Sequence, residues 1–258
     1  MTYLKCWGSW FLKLAASLLR TAPKHVREVY AILGCRPGKV ERRVLLTATR
    51  IATRRALRLL KGIEKRGETF HGHYGDVAIS VVYTGLGSPA TAVVLEALNK
   101  AGIRLVVRSD FAGAVKREVE LGDVIVAERA FAGDGTSKHY VNENVVEGSR
   151  DVTDTLINSA LSKGWRVHVG SIWTTDVLFR EEEDLKKAVK AGCIGIDMET
   201  SAVFAVCSFY GIKSGAVMTV SDKPVEGKDI FDCIGGKVIN GLDNAVEIAL
   251  DALSEIEV

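Results

Sequence analysis

Glu199 and Asp222 are the two side chains of this sequence best placed to do chemistry. Each ends an apolar run: Cys193–Ile196 leads into Asp197, Met198 and Glu199, and Gly215–Val220 leads into Ser221 and Asp222. Between them Ala202, Val203, Val206, Phe209 and Tyr210 recur at helical spacing, and Gly211 closes the helix. The segment therefore reads strand, helix, strand, with a polar cluster at the carboxyl end of each strand. In open α/β sheets that edge is where ligands bind. A carboxylate there can anchor hydroxyls or stabilise a developing cation, and a buried one can keep its proton and act as an acid. The plainer alternative makes Glu199 a helix N-terminal acid and Asp222 a turn residue.

Other clusters add to this pair. Thr84–Ala90 is a glycine-rich turn between a strand over Asp76–Tyr83 and a helix running to Lys100. Its glycines allow close backbone approach, and the helix start favours an anion. Gly85, Gly87 and Ala90 also match part of a dinucleotide fingerprint, with Asp110 as the acid further on. The motif follows several elements rather than opening the first βα unit, which disfavours a nicotinamide-dependent dehydrogenase. A strand over Ile103–Val107 runs into Arg108, Ser109, Asp110 and Phe111. His71 and His73 alternate on one strand face, and two histidines without a third ligand do not make a metal site. The five cysteines are scattered with no Cys-x-x-Cys, the pattern of reduced core thiols in a cytoplasmic protein.

The stretch from Val29 to Leu253 resembles the purine nucleoside phosphorylase and uridine phosphorylase family. The matching residues are Met198-Glu199 opening a helix, Ser221-Asp222 after the next strand, Leu121–Ala127, and the turn Thr84–Pro89. The resemblance implies cleavage of the N-glycosidic bond of a nucleoside by phosphate. It assigns Met198 and Glu199 to the ribose, with His25 as a further ribose contact reaching a neighbouring subunit. It assigns Asp222 to the purine base as the catalytic acid, and Leu178, Phe179 and Ser221 to the base pocket. Phosphate falls to Arg108, with Lys39 and Gly34 in a turn after a first strand over Val29–Leu33, and with Arg66 crossing a subunit interface. Two positions depart from the family pattern: Asp110 stands where a glycine is expected, and Phe111 where a phosphate-binding hydroxyl is expected. A carboxylate beside phosphate weakens its binding, and a phenyl ring cannot replace a hydroxyl donor. A nucleosidase using water, a uridine phosphorylase and a catalytically weak nucleoside-binding homologue are the alternatives. The pair of residues that reads uracil in uridine-specific members has Glu182 and Asp184 as its nearest counterparts, which favours purine.

The 258 residues, 47% hydrophobic and 26% charged, suffice for a large core. The net charge of +2 points to neither nucleic acid nor membrane as a partner. The absence of glutamine hints at a hot growth environment. Residues 1–22 read as a helical extension, too short and too interrupted by Lys13 to span a membrane. Residues 23–258 read as a single α/β domain, a central mixed β-sheet flanked by helices, in which Val40–Lys65 is basic and helix-prone. By the resemblance it is a homo-oligomer, a dimer or a trimer of dimers, that needs no cofactor or metal beyond phosphate as co-substrate.

Overall fold

A computed structural model describes residues 21–258 apart from Ile234, so the helical extension expected over residues 1–22 lies almost wholly outside the described residues. The first described element corrects the expected strand at Val29–Leu33. Lys24–Leu33 is a helix, α1, with Val29 and Leu33 as its buried residues. They stand four apart and share one helical face, while Tyr30 and Ile32 are exposed. Gly34 ends the helix in the left-handed conformation, φ 64°, and donates its N–H to Tyr30.

The basic region Val40–Lys65 is likewise not one helix. It divides into strand β1 (Arg43–Thr47), helix α2 (Arg50–Leu59) and strand β2 (Lys61–Arg66). Thr49 caps α2, its side chain accepting from Ala52 N. The chain continues through β3 (Thr69–Tyr74), β4 (Val77–Tyr83), α3 (Ser88–Ala101), β5 (Leu105–Ala114), β6 (Val124–Ala132) and β7 (Val145–Glu147). Then follow α4 (Arg150–Ser162), β8 (Val167–Thr174), α5 (Glu182–Lys190), β9 (Gly195–Asp197), α6 (Thr200–Tyr210), β10 (Lys213–Asp222) and α7 (Gly236–Glu255).

The strands form one mixed sheet, as expected. Strands β4, β1, β5 and β10 lie side by side and parallel, so their carboxyl ends share an edge. Beyond them, β10 pairs β6, β6 pairs β8, β8 pairs β9 and β9 returns to β5, closing a five-stranded ring. The β2–β3 hairpin extends the sheet from β4 at the other side. Helices cover both faces. Val29, Leu95, Leu98, Val203 and Phe204 pack on one face, and Ala52, Leu156, Leu242, Val246 and Leu253 on the other. Phe204 is fully buried, and removing such a side chain from water contributes about 1.5–3 kcal/mol. Helix α6 is buried from Thr200 to Cys207, which fixes its N-terminal end beside β9 at the cavity.

Candidate active site

At the shared carboxyl edge of β1, β5 and β10, where antiparallel β9 ends against β5, lies a cavity of about 250 Å³. Strand β5 supplies its long wall. Arg108 and Gly113 both line it, and five residues of extended chain separate them by about 16 Å. The cavity therefore has two chemically distinct ends.

The first end is built around Arg108, which is 2% exposed. Its guanidinium hydrogen-bonds to Glu199 and lies 3.2 Å from Asp197. Burial alone would lower its pKa, but Asp197, Glu199 and Asp110 outweigh that and raise it, so it is a fixed cation. Glu199 also accepts from Gly87 N at 2.8 Å, at the N-terminus of α3, where Gly87 has φ 96° and Pro89 opens the helix. The plainer reading of Glu199 as a capping acid is thus half right. It is the N-cap residue of α6, yet its carboxylate serves Arg108 and Gly87 instead. Asp197 takes the capping role, accepting from Thr200 N at 3.1 Å and from Thr174 Oγ1 at 2.8 Å. Asp110, two residues along β5 and on the same face as Arg108, completes the cluster. Burial pushes the carboxyls of Asp110 and Glu199 up, against the downward pull of Arg108. With Asp197, Glu199 and Asp110 against one guanidinium, this end suits a ligand that develops positive charge.

The second end is built around Asp222. An irregularity in the β5–β10 register at Ser221 brings Asp222 opposite Gly113. Ser221 donates to the Asp222 carboxylate. Burial raises the Asp222 pKa, that hydrogen bond opposes the rise, and Asp229 adds to it. Glu181 lines the same end, and burial with the nearby charge of Asp222 pushes its carboxyl up to about 7. Leu178, Ile196 and Ile230 supply apolar walls.

A family model described as the phosphorylase superfamily matches residues 41–253. The chain belongs to the phosphorylase superfamily. Among its superfamily relatives, a guanosine phosphorylase of Halorubrum lacusprofundi is 29% identical over 71% of this chain and 78% of its own length. A uridine phosphorylase of Thermococcus kodakarensis is 31% identical over 73% of this chain and 75% of its own. The crystal structure of a uridine phosphorylase from Vibrio fischeri superposes with a TM-score of 0.78 at 25% identity, covering 86% of this chain and 95% of that one. The matched relatives and structural neighbours are nucleoside phosphorylases, which are pentosyltransferases.

The superfamily site residues read from the sequence separate into two groups. Arg108, Leu178, Met198, Glu199, Ser221 and Asp222 all line the cavity. Phe179 lies beside it, in a neighbouring surface groove with Leu178 and Glu182, and is 75% exposed. Gly34, Lys39, Arg66 and His25 do not line it. His25 and Lys39 are exposed, on α1 and in the turn before β1. Arg66 donates to Lys39 O at 3.1 Å and pairs with Glu41 and Glu64 on the β2–β3 side of the sheet. The turn of Gly34 and Lys39 thus follows helix α1, not a strand, and lies away from this cavity. The first strand is β1, and the turn reaching the cavity is Ala48-Thr49. The apolar run Val44–Leu46 followed by a capping threonine carried that signal, masked by the surrounding arginines. Glu181 was not singled out in the sequence, because a glutamate in a run of acids reads as a solvated face. Among the described residues, no group of His, Cys, Asp and Glu could hold a metal ion, and no helix is long and apolar enough to cross a membrane.

Proposed function

We propose that the chain is a purine nucleoside phosphorylase, releasing free base and ribose 1-phosphate. The observation that carries this reading is the division of one cavity into an Arg108–Glu199 end and an Asp222 end. Glu199 and Met198 bind the ribose, and the carboxylate-rich surroundings stabilise positive charge on the sugar as the C1′–N9 bond lengthens. The bonding pair leaves with the base. Asp222, whose pKa burial raises, donates a proton to N7 and neutralises the departing anion. A phosphate oxygen, oriented from Arg108, forms the new bond to C1′. Glu181 and Asp222 present two carboxyl groups to the base, which suits the donor and acceptor edges of a purine. Leu178 and Ile230 give the ring its apolar contacts. The reading includes a cytoplasmic homo-oligomer in which His25 and Arg66 serve a neighbouring subunit.

The test is base release from guanosine, inosine, adenosine and uridine, with and without phosphate, alongside light scattering for subunit number. Phosphate-dependent release of purine supports the reading. Preference for uridine overturns the purine assignment. Release that ignores phosphate would favour the second reading, a nucleosidase. Asp110 on the cavity wall is the observation behind that alternative.

A further inference from the structure

Asp110 has no part in the reaction proposed above, yet it sits where that reaction needs an anion. Its Oδ2 accepts from the backbone N–H groups of Ala48 and Thr49, each at 2.8 Å, and its Oδ1 accepts from Phe111 N at 3.0 Å. Thr49 is the N-cap of α2, so these donors stand at the positive end of a helix of 10 residues. Asp110 is 1% exposed, and Arg108 beside it has a buried Nε with no hydrogen-bond partner. Amides at a helix start next to an unpartnered guanidinium N–H form an oxyanion subsite, and a side chain of the chain itself occupies the amides.

We propose that Asp110 is the resident anion of the phosphate subsite and limits which acceptor enters: phosphate binds beside it only as Asp110 takes up a proton. This rests on the phosphorolytic reading. Arg108 is the only cationic side chain among the described residues lining the cavity, and Asp197 and Glu199 already claim it. A phosphate added beside an ionised Asp110 meets uncompensated repulsion in a buried site. A swing of the carboxylate would strip it of its amides without taking it to water. A protonated Asp110 instead donates its O–H to a phosphate oxygen. The charged groups facing it are Arg108 from β5 and Asp197 and Glu199 from the β9–α6 junction. Arg50, which opens α2, is engaged over the Tyr83 ring at 5.1 Å, and β10 places the uncharged Met218 opposite.

Calorimetric titration with sulfate, whose charge is constant over the pH range used, tests this without turnover. Titrations in two buffers of different ionisation enthalpy count the protons. The wild-type protein is expected to take up about one proton per sulfate near neutrality, with affinity rising up to about tenfold per unit fall in pH. Asp110→Asn should abolish the uptake and bind sulfate at least about tenfold tighter at neutral pH. No proton uptake by the wild type, unchanged uptake in Asp110→Asn (which would assign the proton to Glu199), or no sulfate binding at any pH overturns the inference. If Asp110→Asn does not fold, Glu199→Gln decides: proton uptake should persist in it, and loss of uptake there overturns the inference. Base release without phosphate would defeat the phosphorolytic reading, while the sulfate titrations would still decide the role of Asp110.

Discussion

Gly113 and Asp222 face each other across the parallel β5–β10 pair, and a Cβ on Gly113 would lie 3.0 Å from Asp222 Oδ2. The same Cβ would meet Ile196 Cγ2 and Pro224 Cδ, each at 3.2 Å. The carboxyl assigned as the acid thus occupies space that only a glycine opposite leaves open. Gly113→Ala is expected to lower kcat by about 10- to 100-fold through misplacement of Asp222. Its phosphate KM should stay near the wild-type value, because Arg108 is five residues away along the strand. Steady-state kinetics with each substrate varied would separate the two. An unchanged kcat would mean that Asp222 needs no fixed position.

Asp222→Asn removes the proton donor but keeps the volume and the Ser221 contact. Loss of a general acid costs about 10²–10⁴ in rate. Burial raises the Asp222 pKa, so the wild-type kcat should fall as pH rises through that raised value. In Asp222→Asn that descending limb should vanish. A pH–rate profile measured on both proteins checks limb and magnitude together.

Glu181 makes a prediction about stability. Its carboxyl is raised from 4.5 to about 7 in the folded protein. The folded state therefore holds this proton more tightly than the unfolded chain, and the stability so gained is fully present below about pH 4.5. That contribution is lost as pH rises towards about 7. Glu181→Gln should flatten this part of the stability profile, as measured by denaturant melts at closely spaced pH values. A profile parallel to wild type through this window would show that Glu181 does not titrate there.

Arg108 and Glu199 form a buried pair whose members depend on one another. Arg108→Ala leaves Asp197 and Glu199 buried without their cation, which typically costs about 3–5 kcal/mol. Glu199→Gln keeps the contact to Gly87 N and should cost less stability than Arg108→Ala. Urea denaturation of the two variants, beside wild type, gives the comparison. Equal losses would mean that the carboxylates are not held in check by Arg108.

Much of the catalytic edge was legible because its elements obey simple local rules. Helix α6 ends at Gly211 with φ 66°, β10 is built around the largely apolar run Gly215–Val220, and the two elements adjoin the clusters at Glu199 and Asp222. The first part of the chain misled for equally local reasons. Val29–Leu33 is a short apolar run that reads as a strand, yet Val29 and Leu33 are one helical face and Gly34 is a helix cap. Strand β1 is brief and bracketed by Arg42, Arg43 and Arg50, so its apolar residues were absorbed into a basic helix pattern. That reading left Ala48 and Thr49, which line the cavity, outside the expected site. The partnership of Asp110 with those two amides is invisible to sequence spacing, since it joins residues 62 and 61 positions apart.

The ring closed by β5, β10, β6, β8 and β9 has a mechanical consequence. Arg108 and Asp222 hang from adjacent strands of that ring, and neither strand can slip past the other without breaking hydrogen bonds all the way round. The distance between the anion end and the acid end is therefore set as rigidly as the rungs of a ladder. Admission of a nucleoside falls to the walls that lie outside the ring, Leu178 and Glu181 on one side and Ile230 on the other. Grafts that reshape those two segments would retune which base enters while leaving the chemical spacing untouched.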